Sequence, residues 1–152
     1  MLNTLLPILV LLACGSEDNT PLEGNATFAD VTKVEVYGRE GSYRFAVTLL
    51  SPDTGCDQYA DWWEVLSEDG QLIQRRILLH SHIDEQPFTR SGSNIDITAT
   101  KEVYIRAHMN NLGYGGLVMK GTVKDGFELA EVNKDFAADV ESQEPLPKRC
   151  AF

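Results

Sequence analysis

The chain has 152 residues, with 13 basic against 23 acidic side chains and a formal net charge of −10. That length suits a single domain burying about two-thirds of its extended surface. The acidic balance argues against nucleic acid as a partner and against electrostatic docking on anionic lipid, and favours a soluble, self-repelling surface.

Met1 to Ala13 is an apolar run too short to span a bilayer and followed at once by polar residues. It reads as a targeting signal, residues 1–13, outside the fold. Its end, Leu11-Leu12-Ala13-Cys14, resembles the lipobox of bacterial lipoproteins. The resemblance implies cleavage before Cys14, lipidation of its sulfur and new amino group, and a membrane anchor, each buried CH₂ contributing ~0.8 kcal/mol. The amino-terminal region lacks the Lys or Arg of such signals, which leaves the true start codon open. An ordinary cleaved signal with a free cysteine is the alternative. Gly15 stands where an aspartate would mark inner-membrane retention in Gram-negative lipoproteins, so the resemblance implies the outer membrane. Glu17-Asp18 resembles signals for the cell surface, and the periplasmic or surface face stays open. Residues 14–27 are small and polar, a tether. Asn25-Ala26-Thr27 is a glycosylation sequon only in a eukaryotic source without a lipobox.

Residues 28–124 carry strand signals at regular spacing. Val31 to Tyr37 alternates, and Tyr43, Phe45, Val47 and Leu49 alternate with Arg44, Ala46 and Thr48. Ser51 to Gly55 is a turn. Asp57 to His82 holds both tryptophans and the clearest hairpin, with Gly70 left-handed in a three-residue loop and Ser67 facing Gln71. That loop predicts Val65 opposite Ile73, Trp63 opposite Arg75 and Trp62 opposite Arg76. One face then holds Tyr59, Trp63, Val65, Ile73, Ile77 and Leu79 as core. The other holds Trp62, Glu64, Gln74, Arg76, Leu78 and His80. Ile83 to Ser93 reads as a loop plugged by Phe88, followed by a short strand at Ile95–Thr98. Val103, Ile105, Ala107 and Met109 alternate with Tyr104, Arg106 and His108, and Asn110 to Gly113 turns the chain into Tyr114–Val123. Seven strands with turns about every ten residues predict an all-β fold, a seven-stranded antiparallel β-sandwich. Strand order and lengths resemble an immunoglobulin-like, fibronectin type III-like module; a small barrel or transthyretin-like sandwich fits nearly as well.

Residues 125–152 form an acidic C-terminal extension, read as a solvated tail. Within it Phe127, Leu129 and Val132 have the spacing of an added edge strand, and Phe136 to Val140 that of a helical turn. With Cys14 lipidated, Cys56 and Cys150 remain as an even pair in an oxidising compartment, which predicts a disulfide pinning the tail near the tryptophan strand.

In the immunoglobulin-like topology three connections, Ser51–Gln58, Ser81–Ser93 and Asn110–Gly115, share one end, with Asp57, Glu85 and Tyr114 close by. The predicted binding surface is Trp62, Glu64, Arg76, His80, Tyr104, Arg106, His108 and Tyr114. A tryptophan among charges beside a loop end suits an envelope protein, a peptide or a carbohydrate. The bland alternatives are a cross-strand network around Glu64 and a Trp62 lying under the tail. The competing functional reading is a small metal-binding protein or metalloenzyme using His80, His82 and His108, since two imidazoles on one strand face suit zinc or copper. No Ser lies in G-x-S-x-G and no cysteine is expected free, so no catalytic residue and no cofactor are assigned. The glycines of Gly113-Tyr114-Gly115-Gly116 serve turn dihedrals, with no helix start to hold an anion.

Overall fold

The computed structural model describes residues 27–151; the signal segment, Cys14 and the tether up to residue 26 lie outside them. The described residues form eight strands: β1 (Asp30–Arg39), β2 (Ser42–Leu50), β3 (Ala60–Ser67), β4 (Leu72–Ile77), β5 (Phe88–Ile95), β6 (Val103–Met109), β7 (Val118–Thr122) and β8 (Gly126–Ala130). A 3-10 helix follows at Ala138–Ser142. The strands make two antiparallel sheets, ordered β1-β2-β5 and β4-β3-β6-β7-β8.

Alternation creates the core. Tyr43, Phe45, Val47 and Leu49 face Trp63, Val65, Val103, Ile105 and Met109, all buried in one cluster between the sheets. Burying each such side chain contributes about 1.5–3 kcal/mol. The eighth strand comes from the start of the acidic extension. Phe127 packs edge-on against Phe45 at 5.7 Å, and that apolar contact brings β8 onto the sheet beside β7.

Two expectations are corrected here. The stretch read as a loop before a short strand at Ile95–Thr98 is itself an edge strand, β5. Phe88, Gly92 and Ile95 are its buried positions. Gly92 hid the pattern: a Cβ there would lie 2.8 Å from Trp63 Cη2, so the inward position is left to a neighbour's indole.

The hairpin loop is as predicted. Ser67 N–H donates to Gln71 O at 2.9 Å, and Gly70 has φ 82°. The register beyond it is not. A bulge at Ile73 sets Leu66 opposite Leu72 but Val65 opposite Gln74, Glu64 opposite Arg75, Trp63 opposite Arg76 and Trp62 opposite Ile77. One extra residue flips every later side chain to the other face. Leu78 is therefore core at 2 % exposure and Leu79 lies outside at 58 %, the reverse of the prediction. Trp62 and Trp63 keep their predicted faces, because β3 pairs with β6 without interruption from Trp62 to Ser67, and its own bulge lies before them, between Ala60 and Trp62.

The N-terminal side of β1, the start of β3 and the ends of β4 and β6 meet at one end of the molecule. Asp30 lies opposite Leu50, Ala60 opposite Met109 and Trp62 opposite Ile77. Asp53 binds the connections there. Its Oδ1 accepts from Ser51 Oγ at 2.6 Å and Ala60 N at 2.9 Å, and its Oδ2 from His82 N at 2.8 Å.

Candidate functional site

Strand pairing brings Trp62, Glu64, Tyr104, Arg106 and His108 onto one face of the larger sheet, with Trp62 opposite His108 and Glu64 opposite Arg106. Arg75 completes the row instead of Arg76, because of the bulge. Arg76 turns to the other sheet, where its Nε donates to Ser91 O at 2.9 Å. His80 also leaves the row, and its ring lies 4.5 Å from that of His82.

Glu64, with no exposed surface, is the centre of the face. Arg75 Nε donates to Oε2 at 2.8 Å and Nη2 lies 2.7 Å from the same oxygen; Arg106 Nε donates to Oε1 at 2.8 Å. Tyr114 OH donates to Oε1 at 2.8 Å, and burial together with the Glu64 charge pushes the Tyr114 pKa up. One anion between two cations leaves a net positive charge under cover, and such charges stay buried only when their remaining donors are satisfied.

The C-terminal extension satisfies them. Arg75 Nη1 donates to Gln143 O at 2.6 Å and Pro145 O at 3.2 Å, and Nη2 to Val140 O at 2.7 Å. Arg106 Nη1 donates to Phe136 O at 2.7 Å and Nη2 to Ala137 O at 2.9 Å. Five main-chain carbonyls thus end on two guanidiniums. The segment crosses the face as a strap, with Val140 buried at 1 % exposure and the Phe136 ring 4.9 Å from that of Tyr104. Its far end is closed by the disulfide Cys56–Cys150. The acidic side chains of the strap stay exposed, so the prediction of a solvated tail holds for Asp135, Asp139 and Glu144 but not for the backbone beneath them. The expectation that Trp62, Glu64, Arg106 and His108 stay at the surface is overturned: they are 3, 0, 4 and 5 % exposed.

The aromatic part of the face is as closely built. Trp62 and His108 stack 3.6 Å apart and 7° from parallel; Arg75 lies over the indole at 4.4 Å and Arg106 over the Tyr114 ring at 3.6 Å. His108 Nδ1 is 2.6 Å from Asp61 Oδ1, and Nε2 is 3.1 Å from Glu141 Oε1 on the strap. Burial raises the Asp61 pKa against the opposing pull of His108. Beside Arg106 and Tyr114 a cavity of about 400 Å³ opens, walled by Gly116, Val118, Glu131 and Lys134.

The three-histidine rim does not assemble. His108 sits among Asp61, Glu141 and Trp62, whereas His82 stacks on Phe88 at 3.9 Å beside His80. Among the described residues no group of three or more His, Cys, Asp or Glu side chains is placed to hold a metal ion. Sequence reasoning missed Arg75, which the bulge conceals, and Glu141, which only the path of the strap brings near. The cysteine parity was the one signal that the tail returns to the tryptophan strand.

Two antiparallel sheets with almost no helix, and a charged, tail-covered face on the larger one, define the class of molecule. A protein of Halomicrobium mukohataei named "Putative lipoprotein" is 41% identical to this chain over 101 residues, covering 66% of this chain and 49% of that relative. The chain therefore spans about half the length of that relative. No family model and no solved structure matches the chain. Among the described residues no helix is long and apolar enough to cross a membrane.

Proposed function

We propose that this chain is the folded module of a lipid-anchored protein of the cell envelope, and that it works by holding a partner chain, without catalysis or a cofactor. The relative's name and Leu11-Leu12-Ala13-Cys14 support the anchor, and Gly15 favours the outer membrane. The order β1-β2-β5 against β4-β3-β6-β7 supports a fibronectin type III-like sandwich, with β8 an added edge.

The observation that carries the binding reading is the Arg75–Glu64–Arg106 ladder. Its guanidiniums take five peptide carbonyls and few side chains, which is a way of gripping an extended chain of loosely defined sequence. A peptide or protein segment suits it better than a carbohydrate. The strap is then the resident occupant, and the partner is a segment of similar make that replaces it.

The test empties the face. In a Cys56→Ser, Cys150→Ser, Val140→Asp variant the strap loses its closure and its buried anchor. Titration with a synthetic peptide of residues 134–147 should then quench or shift Trp62 fluorescence, and Arg106→Gln in that background should abolish the response. A folded variant that takes up no peptide would remove this reading. Mass analysis of the amino terminus decides the anchor independently: an unmodified Cys14 thiol would end that half of it.

A further inference from the structure

Six large apolar side chains are exposed among the described residues, and four of them sit at one end of the sandwich. Leu50 closes β2, Leu79 and Ile83 lie in the β4–β5 connection and Leu112 in the β6–β7 turn, with Leu79, Ile83 and Leu112 at 58, 52 and 48 % exposure. Separate connections presenting leucine and isoleucine outward on one end are unlike the scattered apolar surface of an ordinary domain.

The chain enters the fold at the same end. Val31 N–H donates to Leu117 O at 3.0 Å, and Leu117 N–H donates to Asp30 Oδ1 at 2.7 Å. Phe28 lies against Gly115, where a Cβ would come within 2.7 Å of its ring. Thr27 is thirteen residues on from Cys14, so covalent geometry limits their separation to about 45 Å whatever path the chain takes. An anchor at Cys14 therefore joins the fold at this end and not at the Gly70 end.

Two exposed cationic side chains stand at this end as well. Ile77, Leu79 and Leu146 form the apolar side of a groove of about 690 Å³ whose rim is Lys148, Arg149 and Ala151. Lys148 and Arg149 are exposed and make no ion pair among the described residues, in a chain of net charge −10. Exposed Asp57 and Asp84 share the end, so attraction to an anionic surface is not what holds it. The chemistry is that of an interfacial tip: aliphatic side chains for the acyl boundary, and long cationic side chains whose heads reach phosphate while their stems stay apolar.

We propose that the end bearing Leu79, Ile83, Leu112, Lys148 and Arg149 lies on the phospholipid surface that holds the anchor. The proposal rests on the lipid anchor at Cys14. It leaves the β3–β6 face, with its strap, sideways to the membrane and open to a partner.

The test uses the full lipid-bearing protein in phosphatidylcholine vesicles, without anionic lipid. A fluorophore is carried at Ile83→Cys or, at the opposite end, at Glu68→Cys. Vesicle flotation reads the anchor; quenching by lipids with bromine on the acyl chains reads the contact. The label at position 83 should shift to the blue and be quenched, and the label at 68 should do neither. Leu79→Asp with Leu112→Asp should abolish the quenching at 83 while flotation is unchanged. Floating protein quenched equally at 83 and 68, or quenched at 83 regardless of those two aspartates, overturns the tip and leaves the anchor standing. A blue shift that grows with protein concentration in the absence of lipid assigns the tip to a second copy and also overturns it. Protein that does not float and carries no lipid on Cys14 overturns the anchor, and the orientation with it.

Discussion

At the scale of single residues, the molecule is decided by how buried charge is compensated. Glu64 has no exposed surface and receives two guanidiniums and a phenol, so neither arginine can lose it cheaply. Removing one partner of a buried pair costs about 3–5 kcal/mol, because the remaining charge is stranded. Glu64→Ala should fall in that range by denaturant melting, with Glu64→Gln recovering part of it; a loss under about 1 kcal/mol would mean that water reaches the arginines. His82 is the opposite case. It is 3 % exposed, neither ring nitrogen has a hydrogen-bond partner, and Asp53 Oδ2, 3.9 Å from Nδ1, already accepts the His82 backbone N–H. Burial, then Arg90 and His80, lowers its pKa. The unfolded chain, with a value near 6.5, therefore binds the proton more tightly than the folded one, and stability must fall as the pH drops through about 6.5 towards the lowered folded value. Thermal midpoints of the parent protein should decline over that window, and the decline should flatten in His82→Gln. Equal slopes would show that another group titrates there. The faces of Trp62, Glu64, Arg106 and His108 were legible from alternation alone. That they are covered was not, since alternation reports which side a residue takes and not what lies over it.

At the scale of elements, β3 and β6 could be read directly because neither carries an insertion in its central run. β4 could not. Its bulge at Ile73 trades Arg76 for Arg75 and Leu79 for Leu78, and nothing in Leu72-Ile73-Gln74-Arg75-Arg76-Ile77 marks which residue is extra. The gain is visible only in three dimensions: Arg75 against Glu64, and Leu78 in the core. β5 was hidden by Gly92, whose missing side chain makes room for Trp63. The strap is the element most dependent on a single bond. Between Phe136 and Cys150 it buries only Val140 deeply, and the disulfide joins positions 94 residues apart. Closing a loop of that size contributes up to ~4.6 kcal/mol in the chain-entropy model. In Cys56→Ser with Cys150→Ser the strap should open before the sheets do. Trp62 emission should shift to the red at a denaturant concentration below that of global unfolding, and hydrogen exchange at residues 136–146 should quicken while β6 stays protected. One coincident transition by both probes would show that strap and sandwich unfold as a unit without the disulfide.

At the scale of the whole molecule, the dominant fact is a net charge of −10 over the chain, most of it on one small fold and the rest on Glu17, Asp18 and Glu23 before it. The buried ladder offsets little of it, since Arg75 and Arg106 exceed Glu64 by a single charge. Among the described residues the exposed pairs of Lys or Arg with a carboxylate are few: Lys33 with Glu35 at 3.1 Å, Arg90 with Glu85 at 2.6 Å and Lys120 with Glu102 at 2.7 Å. Each exposed pair contributes about 0–1 kcal/mol. The strap then lays Asp135, Asp139, Glu141 and Glu144 on the outside of the same sheet, so folding concentrates like charge. Two effects of salt compete. Screening weakens the few pairs, which lowers stability, and it weakens the repulsion among unpaired carboxylates, which raises it. The Debye length shrinks from about 30 Å at 0.01 M to about 3 Å at 1 M. The first distance spans the width of the sandwich and the second does not reach from one strand to the next. Repulsion summed over many separated acids is therefore screened far more than contacts at 3 Å. The thermal midpoint should rise with sodium chloride over that range at pH 7.5, and most steeply at its low end, where the screening length crosses the molecule. A midpoint that falls with salt would place the surface pairs ahead of the net charge in holding the fold.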